Sequence, residues 1–358
     1  MGLLIMKKIV ISGYYGFENL GDEAVLAGII SLLKKKNRNL EITVLSSSPE
    51  ITAERYNVKA VSRTSLIQIS SALAEADLFI SGGGSLLQDV TGSLSVPYYL
   101  GIFWLAKLQG VKTALYAQGV GPLNKKWSRR LTSFSLNRFD FLGVRDMASQ
   151  ELLKEIGVKK QVNVTVDPVF ALYNKVDVVR QKIKGEIMIG VSVRPWSVDY
   201  LEELAEGMNR YAEDYHCRYL LMPMHRGSDE QTSQRLKEML KAEADIVELP
   251  KEPRLALKEF SNLDLFIGVR LHSLIFALLN HIPSLALSYD PKIEGLMEEV
   301  DYLPLIKLEN LMAEDIDEKI RYLHSERYAF RNRLKEYIHS KKSEAENFAD
   351  LLFEEVSL

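Results

Sequence analysis

Short apolar runs recur along the chain, separated by longer stretches whose apolar positions fall three and four residues apart. Runs at Lys8–Ser12, Glu41–Leu45, Leu78–Ser81, Thr113–Ala117, Phe141–Val144 and Asn163–Val166 read as strands. The stretches Glu23–Lys35, Ser65–Ala74, Val96–Gln109, Lys126–Arg138 and Ala148–Ile156 read as the helices between them. Asp167-Pro168 closes this half, and a more polar stretch, residues 173–186, reads as a linker. The alternation then resumes with strands at Ile187–Val193, Tyr219–Met222, Ile246–Glu248, Leu265–Ile267 and Ser284–Ser288, and with helices near Asp199–Asp214 and Asp229–Ala242. From about Ala313 the chain is rich in Glu, Lys and Arg at helical spacing, which predicts a closing helix or helix pair. Strands alternating with helices mean parallel sheets covered on both faces. The expectation is therefore an α/β protein of two Rossmann-like domains facing a cleft. Residues 1–172 form the first, the acceptor side, and residues 187–358 the second, the donor side. The halves also echo each other. Asp77-Leu78-Phe79-Ile80 leads through glycines to Ser85-Leu86-Leu87, and Asp264-Leu265-Phe266-Ile267 leads through Gly268 to Ser273-Leu274-Ile275. That echo fits an internal repeat and fits equally the common grammar of α/β units.

Bulk properties narrow the function classes. A length of 358 residues favours two domains, and 47% hydrophobic residues suffice for packed cores. The net charge of −3 argues against nucleic acid as a partner, so an anion site must be a local cluster. One cysteine, Cys217, excludes an intrachain disulfide and a four-thiolate zinc site, and fits a reducing compartment such as the cytoplasm. The N-terminal apolar run is too short for a membrane span, carries two lysines and reads as a first buried strand. The most apolar surface candidate, Tyr98–Leu108, reads as a packed helix.

Chemistry concentrates in residues 264–295. A strand ending in Gly268 runs into Arg270, Leu271, His272 and Ser273 and then into an apolar helix; a second strand ends near Lys292. Free backbone N–H groups and the positive end of the helix dipole fall beside two cations and one imidazole, a combination suited to a small, highly charged anion. His272, set in that turn, is the functional candidate, whereas His281 lies in a plain loop. Further strand ends supply other candidates. In Gly13–Glu23, Tyr14 can stack on a sugar and Asn19 and Asp22 can accept hydrogen bonds from hydroxyls, although Asp22 also fits a helix cap. The spacing is not that of a dinucleotide loop. Ser81–Ser85, with Gly83 and Gly84, reads as a ligand-facing loop, and Gln118 as a polar contact at the same level. Arg145 ends another strand and can clamp a carboxylate if it faces the cleft. Arg194 and Trp196, and His225 and Arg226, sit at further strand ends where acceptor contacts and surface roles are both open.

Taken in order, GYYGFENLGDE, ISGGGSLLQD, the Arg145-Asp146 turn and GVRLHSLIFAL…NHIPSLALSYDPK resemble the polysaccharide pyruvyl transferase family, from about residue 8 to 300. They look closest to the bacterial CsaB-type enzymes, which pyruvylate secondary cell-wall polysaccharide. The resemblance implies a fold like the two-domain, B-type glycosyltransferases (GT-B). It implies phosphoenolpyruvate as donor and co-substrate, with no further cofactor and no metal. The implied product is a cyclic ketal of pyruvate, with a 4,6-ketal on N-acetylmannosamine of a lipid-linked precursor as the expectation. The family's Arg-Leu-His donor turn falls on Arg270, Leu271 and His272. Ser273, Arg145 and Lys292 are placed on the donor as well. Tyr14, Asn19, Asp22, Gly83, Gly84 and Gln118 are placed on the acceptor. A lipid-linked acceptor would bring a cytoplasmic enzyme to the inner face of the cell membrane as a peripheral contact, and a homo-oligomer is compatible with the chain.

The residues suit this chemistry. Two arginines, a lysine and helix N–H groups can neutralise the phosphate and carboxylate of phosphoenolpyruvate. Histidine titrates near neutral pH, which makes His272 the choice for proton transfer and Lys292 the partner of the departing phosphate. The competing expectation is a nucleotide-sugar glycosyltransferase on the same fold, with Glu294 holding a ribose. A non-catalytic wall-polysaccharide binding module is a third, disfavoured by an imidazole set among cations.

Overall fold

The computed structural model describes residues 7–90, 92, 94–174 and 185–357. Most of the expected linker, residues 175–184, lies outside the described residues. Among those described, the strands form two sheets, and every pairing is parallel.

The first sheet contains β1 (Lys8–Ser12), β2 (Glu41–Ser46), β3 (Lys59–Ser62), β4 (Leu78–Leu87), β5 (Lys112–Val120), β6 (Phe141–Val144) and β7 (Asn163–Val164), in the spatial order 3-2-1-4-5-6-7. The second contains β8 (Ile187–Ser192), β9 (Cys217–Leu221), β10 (Ala244–Ile246), β11 (Leu265–Gly268), β12 (Ser284–Ser288) and β13 (Leu305–Lys307), in the order 10-9-8-11-12-13. Renumbered from its own first strand, the second is 3-2-1-4-5-6, the order of the doubly wound fold. Both sheets are therefore Rossmann-like, as the hydrophobic pattern predicts. Parallel strands need crossover helices, which cover both faces and leave the central strands almost wholly apolar: Ile9, Ile11, Phe79 and Ile80, and likewise Ile189, Val191, Phe266 and Ile267, are all at most 1% exposed.

The sequence echo corresponds to equivalent positions. Asp77 stands just before β4 and Asp264 just before β11, each beside the central strand of its sheet. The Asp77 carboxylate accepts the N–H of Lys8 at 2.8 Å, and the Asp264 carboxylate accepts the N–H of Met188 at 3.2 Å. In both halves the same side chain satisfies an amide where the central strand begins.

Contacts divide the chain into two compact units, and the division is not linear. The first comprises residues 1–17, 22–172 and 341–358; the second comprises 18–21 and 173–340. This departs from a split into 1–172 and 187–358 at two places. Residues 18–21 pack with the second unit because Leu20 N–H donates to the Met224 carbonyl at 3.2 Å, Asn19 bridges to His225, and Glu18 pairs with Lys251. The tail is one 43-residue helix, Ala313–Glu355, and its end belongs to the first unit. There Phe348 sits against Tyr116 (ring centroids 5.2 Å) and Phe141 (5.4 Å), and it fills the space over Gly143, where a Cβ would collide with its ring.

The triple glycine is the other departure. Gly82, Gly83 and Gly84 lie inside β4, which continues to Leu87, and do not form a loop after it. The helix Leu20–Lys36 packs so closely on this strand that a Cβ on Gly83 would collide with Val25. Gly84 has φ +79°, and a Cβ there would stand 3.0 Å from the Asp22 carboxylate.

Candidate functional site

In a doubly wound sheet, ligands bind beyond the carboxyl ends of the strands where the strand order reverses. In the second unit that point lies between β8 and β11. The register pairs Ser192 with Gly268 and Gly268 with Ala286, so β8, β11 and β12 end at one edge. The residues that follow them are Arg194, then Arg270 and His272, then Tyr289 and Lys292. The cations that the sequence distributes over nearly a hundred positions thus emerge from three adjacent strands.

Each is fixed locally. Arg270 is the N-cap of the helix Leu271–Leu279, in an extended conformation, and its side chain caps none of that helix's N–H groups. The Ser273 hydroxyl donates to the Arg270 carbonyl at 2.7 Å and tightens the turn. The Arg270 guanidinium forks onto Asp229, with Nε and Nη2 each donating at 2.6 Å. Asp229 is fully buried and also accepts the N–H of His225 at 3.0 Å. This fork uses two nitrogens and leaves the Nη1 edge for a ligand. Leu271 and His272 occupy the first turn of the helix, half-buried. His272 packs against the backbone of Gly21, where a Cβ would collide with its Nδ1. Lys292 lies in the first turn of Pro291–Glu298; its N–H donates to the capping Asp290 carboxylate at 2.9 Å. Arg194 lies beside a pair of aromatic rings in mutual contact, 5.2 Å from the Trp196 centroid and 4.8 Å from that of Tyr289, with its backbone held by the Tyr200 hydroxyl. Glu294 already accepts from Ser288 at 3.3 Å and from Lys307 at 3.1 Å.

Of the residues expected on the acceptor, Asn19 belongs with the second unit; its side chain accepts the Gly21 N–H at 3.1 Å, the bond an N-cap makes. Asp22 lies in the first turn of Leu20–Lys36, not at its cap.

The first unit carries the rest. Tyr14 stacks on Phe17 at 4.1 Å with the rings 8° apart, and both are about two-fifths exposed. The Arg63 guanidinium lies 4.9 Å from the Phe17 ring and 4.5 Å from the Tyr98 ring. Burial, and next the Asp22 carboxylate, push the Tyr14 phenol up, so it stays protonated at neutral pH. The loop that presents this pair is held from below. Buried Glu23 accepts the Gly16 N–H at 2.7 Å, the Tyr56 hydroxyl at 2.6 Å and Arg55 at 3.1 Å. Gln118 is fully buried inside β5, and among the described residues its amide has no hydrogen-bond partner. Such a group costs stability unless something completes it. Arg145 is 9% exposed; it pairs with Asp167 and donates to Ser85 at 3.2 Å. Its charge is thus balanced inside the first unit, with Gly119 allowing the close approach.

One residue at this edge, Asp229, is not singled out by sequence reasoning, where it reads as an ordinary acid at a helix start; for Arg194 the sequence leaves an acceptor contact and a surface role both open. The available signal was the strand order: β9, which leads to Asp229, neighbours β8, which neighbours β11.

Comparison with known proteins bears on these features. A solved structure of HepE from Anabaena with UDP-glucose is similar in fold, with a TM-score of 0.68, 14% identity, and 98% of this chain and 99% of that one covered. So is UDP-GlcNAc 2-epimerase from Neisseria meningitidis, with a TM-score of 0.63, 14% identity, and 98% and 99% covered. Both support the GT-B-like, two-Rossmann architecture. The amylovoran biosynthesis protein AmsJ from Erwinia amylovora is 21% identical over 382 aligned positions, covering 82% of this chain and 86% of that protein. Residues 19–291 match the profile of a family described as polysaccharide pyruvyl transferase, a span that runs from β2 through β12 and includes the Arg270-Leu271-His272 turn. On that match, the chain belongs to the polysaccharide pyruvyl transferase family.

Proposed function

We propose that this protein transfers the pyruvyl unit of phosphoenolpyruvate to two hydroxyls of one sugar in a polysaccharide precursor, releasing phosphate. The observation that carries the reading is the emergence of Arg270, His272 and Lys292 from adjacent parallel strands, with the first two inside the span that matches the family. Phosphoenolpyruvate places a phosphate and a carboxylate on neighbouring atoms, and a donor edge with two or three cations and an uncapped helix N-terminus suits both.

The reaction needs three events. A proton adds to the methylene carbon, which becomes methyl, and positive charge develops at the carbon bearing the phosphate. One sugar hydroxyl adds there and the phosphate leaves with the C–O bond electrons. The second hydroxyl then adds to the same carbon and closes the ketal. Of the two hydroxyl protons, one balances the methyl and the other leaves with the phosphate. His272 is the group proposed to move a proton, because an imidazole can both give and take one near neutral pH. Arg270 and Lys292 hold the donor and stabilise the departing phosphate. The acceptor reading assigns sugar stacking to the Tyr14–Phe17 pair and a hydroxyl contact to the Gln118 amide. In the CsaB-type form of this reading, the product is a 4,6-ketal on N-acetylmannosamine of a lipid-linked precursor, made at the inner face of the cell membrane.

The test is phosphate release from phosphoenolpyruvate with a synthetic N-acetylmannosamine-containing acceptor. Acceptor-dependent release by the wild type, lost in His272→Ala, is expected. Full turnover by His272→Ala would overturn the proton-transfer role. No release despite donor-induced thermal stabilisation would overturn the acceptor assignment.

A further inference from the structure

One surface of the first unit is left unused by this chemistry. The helix Lys126–Leu136 (KWSRRLTSFSL) contains no acidic residue, and neither does any position from Pro122 to Phe139, which carry Lys125, Lys126, Arg129, Arg130 and Arg138. The whole chain has a net charge of −3, so this is a local reversal of sign. The buried face of the helix is mostly small and polar, with Ser128, Thr132 and Ser135 at zero exposure beside one buried leucine, Leu136. The two aromatic side chains point the other way: Trp127 is 42% and Phe134 51% exposed. With Lys126, Arg130 and Leu131 they line a shallow groove. Trp127, Arg130, Leu131, Phe134 and Arg138 fall at intervals of three and four, on one face.

This arrangement inverts that of an ordinary surface helix, which buries its aromatics and exposes its hydroxyls. The inversion is held firmly. The buried Asp89 carboxylate accepts the N–H groups of Asn124 and Lys125 at 2.8 Å each and pairs with the Ser128 hydroxyl, fixing the start of the helix. Trp104 of the neighbouring helix donates to Ser135 at 3.0 Å and stacks on Phe134 at 5.5 Å. Of the nearby acids, Glu155 pairs with Arg129 of the same run and Asp140 pairs with Lys107 outside it. Among the described residues no carboxylate pairs with Lys126, Arg130 or Arg138.

We infer that this face is a docking surface for an anionic lipid bilayer. Tryptophan and phenylalanine beside lysine and arginine match the chemistry of the headgroup boundary, where rings enter the acyl edge and cations meet phosphate. A second copy of the chain would bring the same cations face to face, which charge repulsion disfavours. The inference deepens the reading of a lipid-linked acceptor and rests on it only for why a bilayer would be near. Among the described residues no helix is long and apolar enough to cross a membrane, so the contact would be peripheral.

The experiment is sedimentation of the full chain with vesicles of phosphatidylcholine, with and without phosphatidylglycerol. Binding to the anionic vesicles only, weakening with salt, is expected. Lys126→Gln with Arg130→Gln should lower partitioning about thirtyfold, since each cation near an anionic surface contributes about a factor of five. Trp127→Ala with Phe134→Ala should also release the protein, while phosphate release on a water-soluble acceptor stays unchanged in both variants. Circular dichroism melting checks that the aromatic variant folds; the glutamine variant changes exposed side chains alone. No binding to anionic vesicles, or equal binding by wild type and the glutamine variant, overturns the inference. So does self-association in sedimentation equilibrium that the aromatic variant abolishes, without vesicle binding. Vesicle binding without any pyruvyl transfer would leave the surface assigned and sink the proposed reaction instead.

Discussion

At the scale of single residues, the proposed donor edge depends on close contacts that are invisible in one dimension. Gly21 and His272 stand 251 positions apart, yet the imidazole occupies the space a Cβ would need. Gly21→Ala should therefore displace His272 and lower kcat on the order of a hundredfold, as small misplacements of a reacting group do, with only a small change in melting temperature. Steady-state kinetics beside a thermal melt would check it; unchanged kcat would mean that His272 tolerates the shift or does not act. Asp229 is the second case. It holds Arg270 by two charge-assisted bonds at 2.6 Å, so Asp229→Asn should loosen the guanidinium. The KM for phosphoenolpyruvate should rise about tenfold, the worth of roughly one charged hydrogen bond, with kcat less affected. A fall in kcat at constant KM would argue that Asp229 acts in chemistry and not in positioning.

Between residues and the whole lie the elements, and the long C-terminal helix carries the largest consequences. Its first turns belong to the second unit. There Ile316 covers Gly207, and His324 meets the Tyr211 hydroxyl at 2.8 Å. Burial, and next the charge of Arg327, hold the His324 imidazole below its ordinary value near 6.5. The unfolded chain thus takes up that proton at a higher pH than the folded one. The contribution of His324 is complete above about pH 6.5 and is lost as the pH falls toward and through the lower folded-state value. Urea midpoints should fall between about pH 7.5 and 5.5 by more in the wild type than in His324→Gln; equal slopes would remove His324 as the cause. The last turns of the same helix pack in the first unit, where Phe348 is 6% exposed against Tyr116 and Phe141. Phe348→Ala should cost about 3–5 kcal/mol, the usual price of emptying an aromatic site. Denaturant unfolding would read it, and a loss under about 1 kcal/mol would mean the site collapses or is not packed.

For the molecule as a whole, the question is which small anion stabilises it. A ligand that binds only the folded chain raises the unfolding free energy by about 2.7 kcal/mol at a hundred times its dissociation constant. Phosphoenolpyruvate should raise the melting temperature by several degrees, and UDP should not. The opposite result would favour the nucleotide-sugar glycosyltransferase, for which the shared fold with HepE is a likeness of architecture alone. In that reading Glu294, which here accepts from Ser288 and Lys307, would exchange these contacts for a ribose.

The α/β class, the two Rossmann-like sheets and the cluster after Gly268 were all legible in one dimension, because burial on both faces forces continuous apolar strands and because Arg270, His272 and Lys292 are close in sequence. Other features were decided by contacts between distant segments. Gly82–Gly84 looks like a loop, since glycine usually signals a turn; it is a strand because the first helix lies too close for any side chain. The edge strand Lys59–Ser62 is half-polar, buries little and shows no apolar run. Residues 18–21 and 341–358 join the unit opposite to their neighbours in the chain, through backbone bonds and a phenylalanine that no local pattern marks. Arg194 and Asp229 join Arg270 at one sheet edge through strand order, which depends on how the sheet is wound and not on the composition of any one strand.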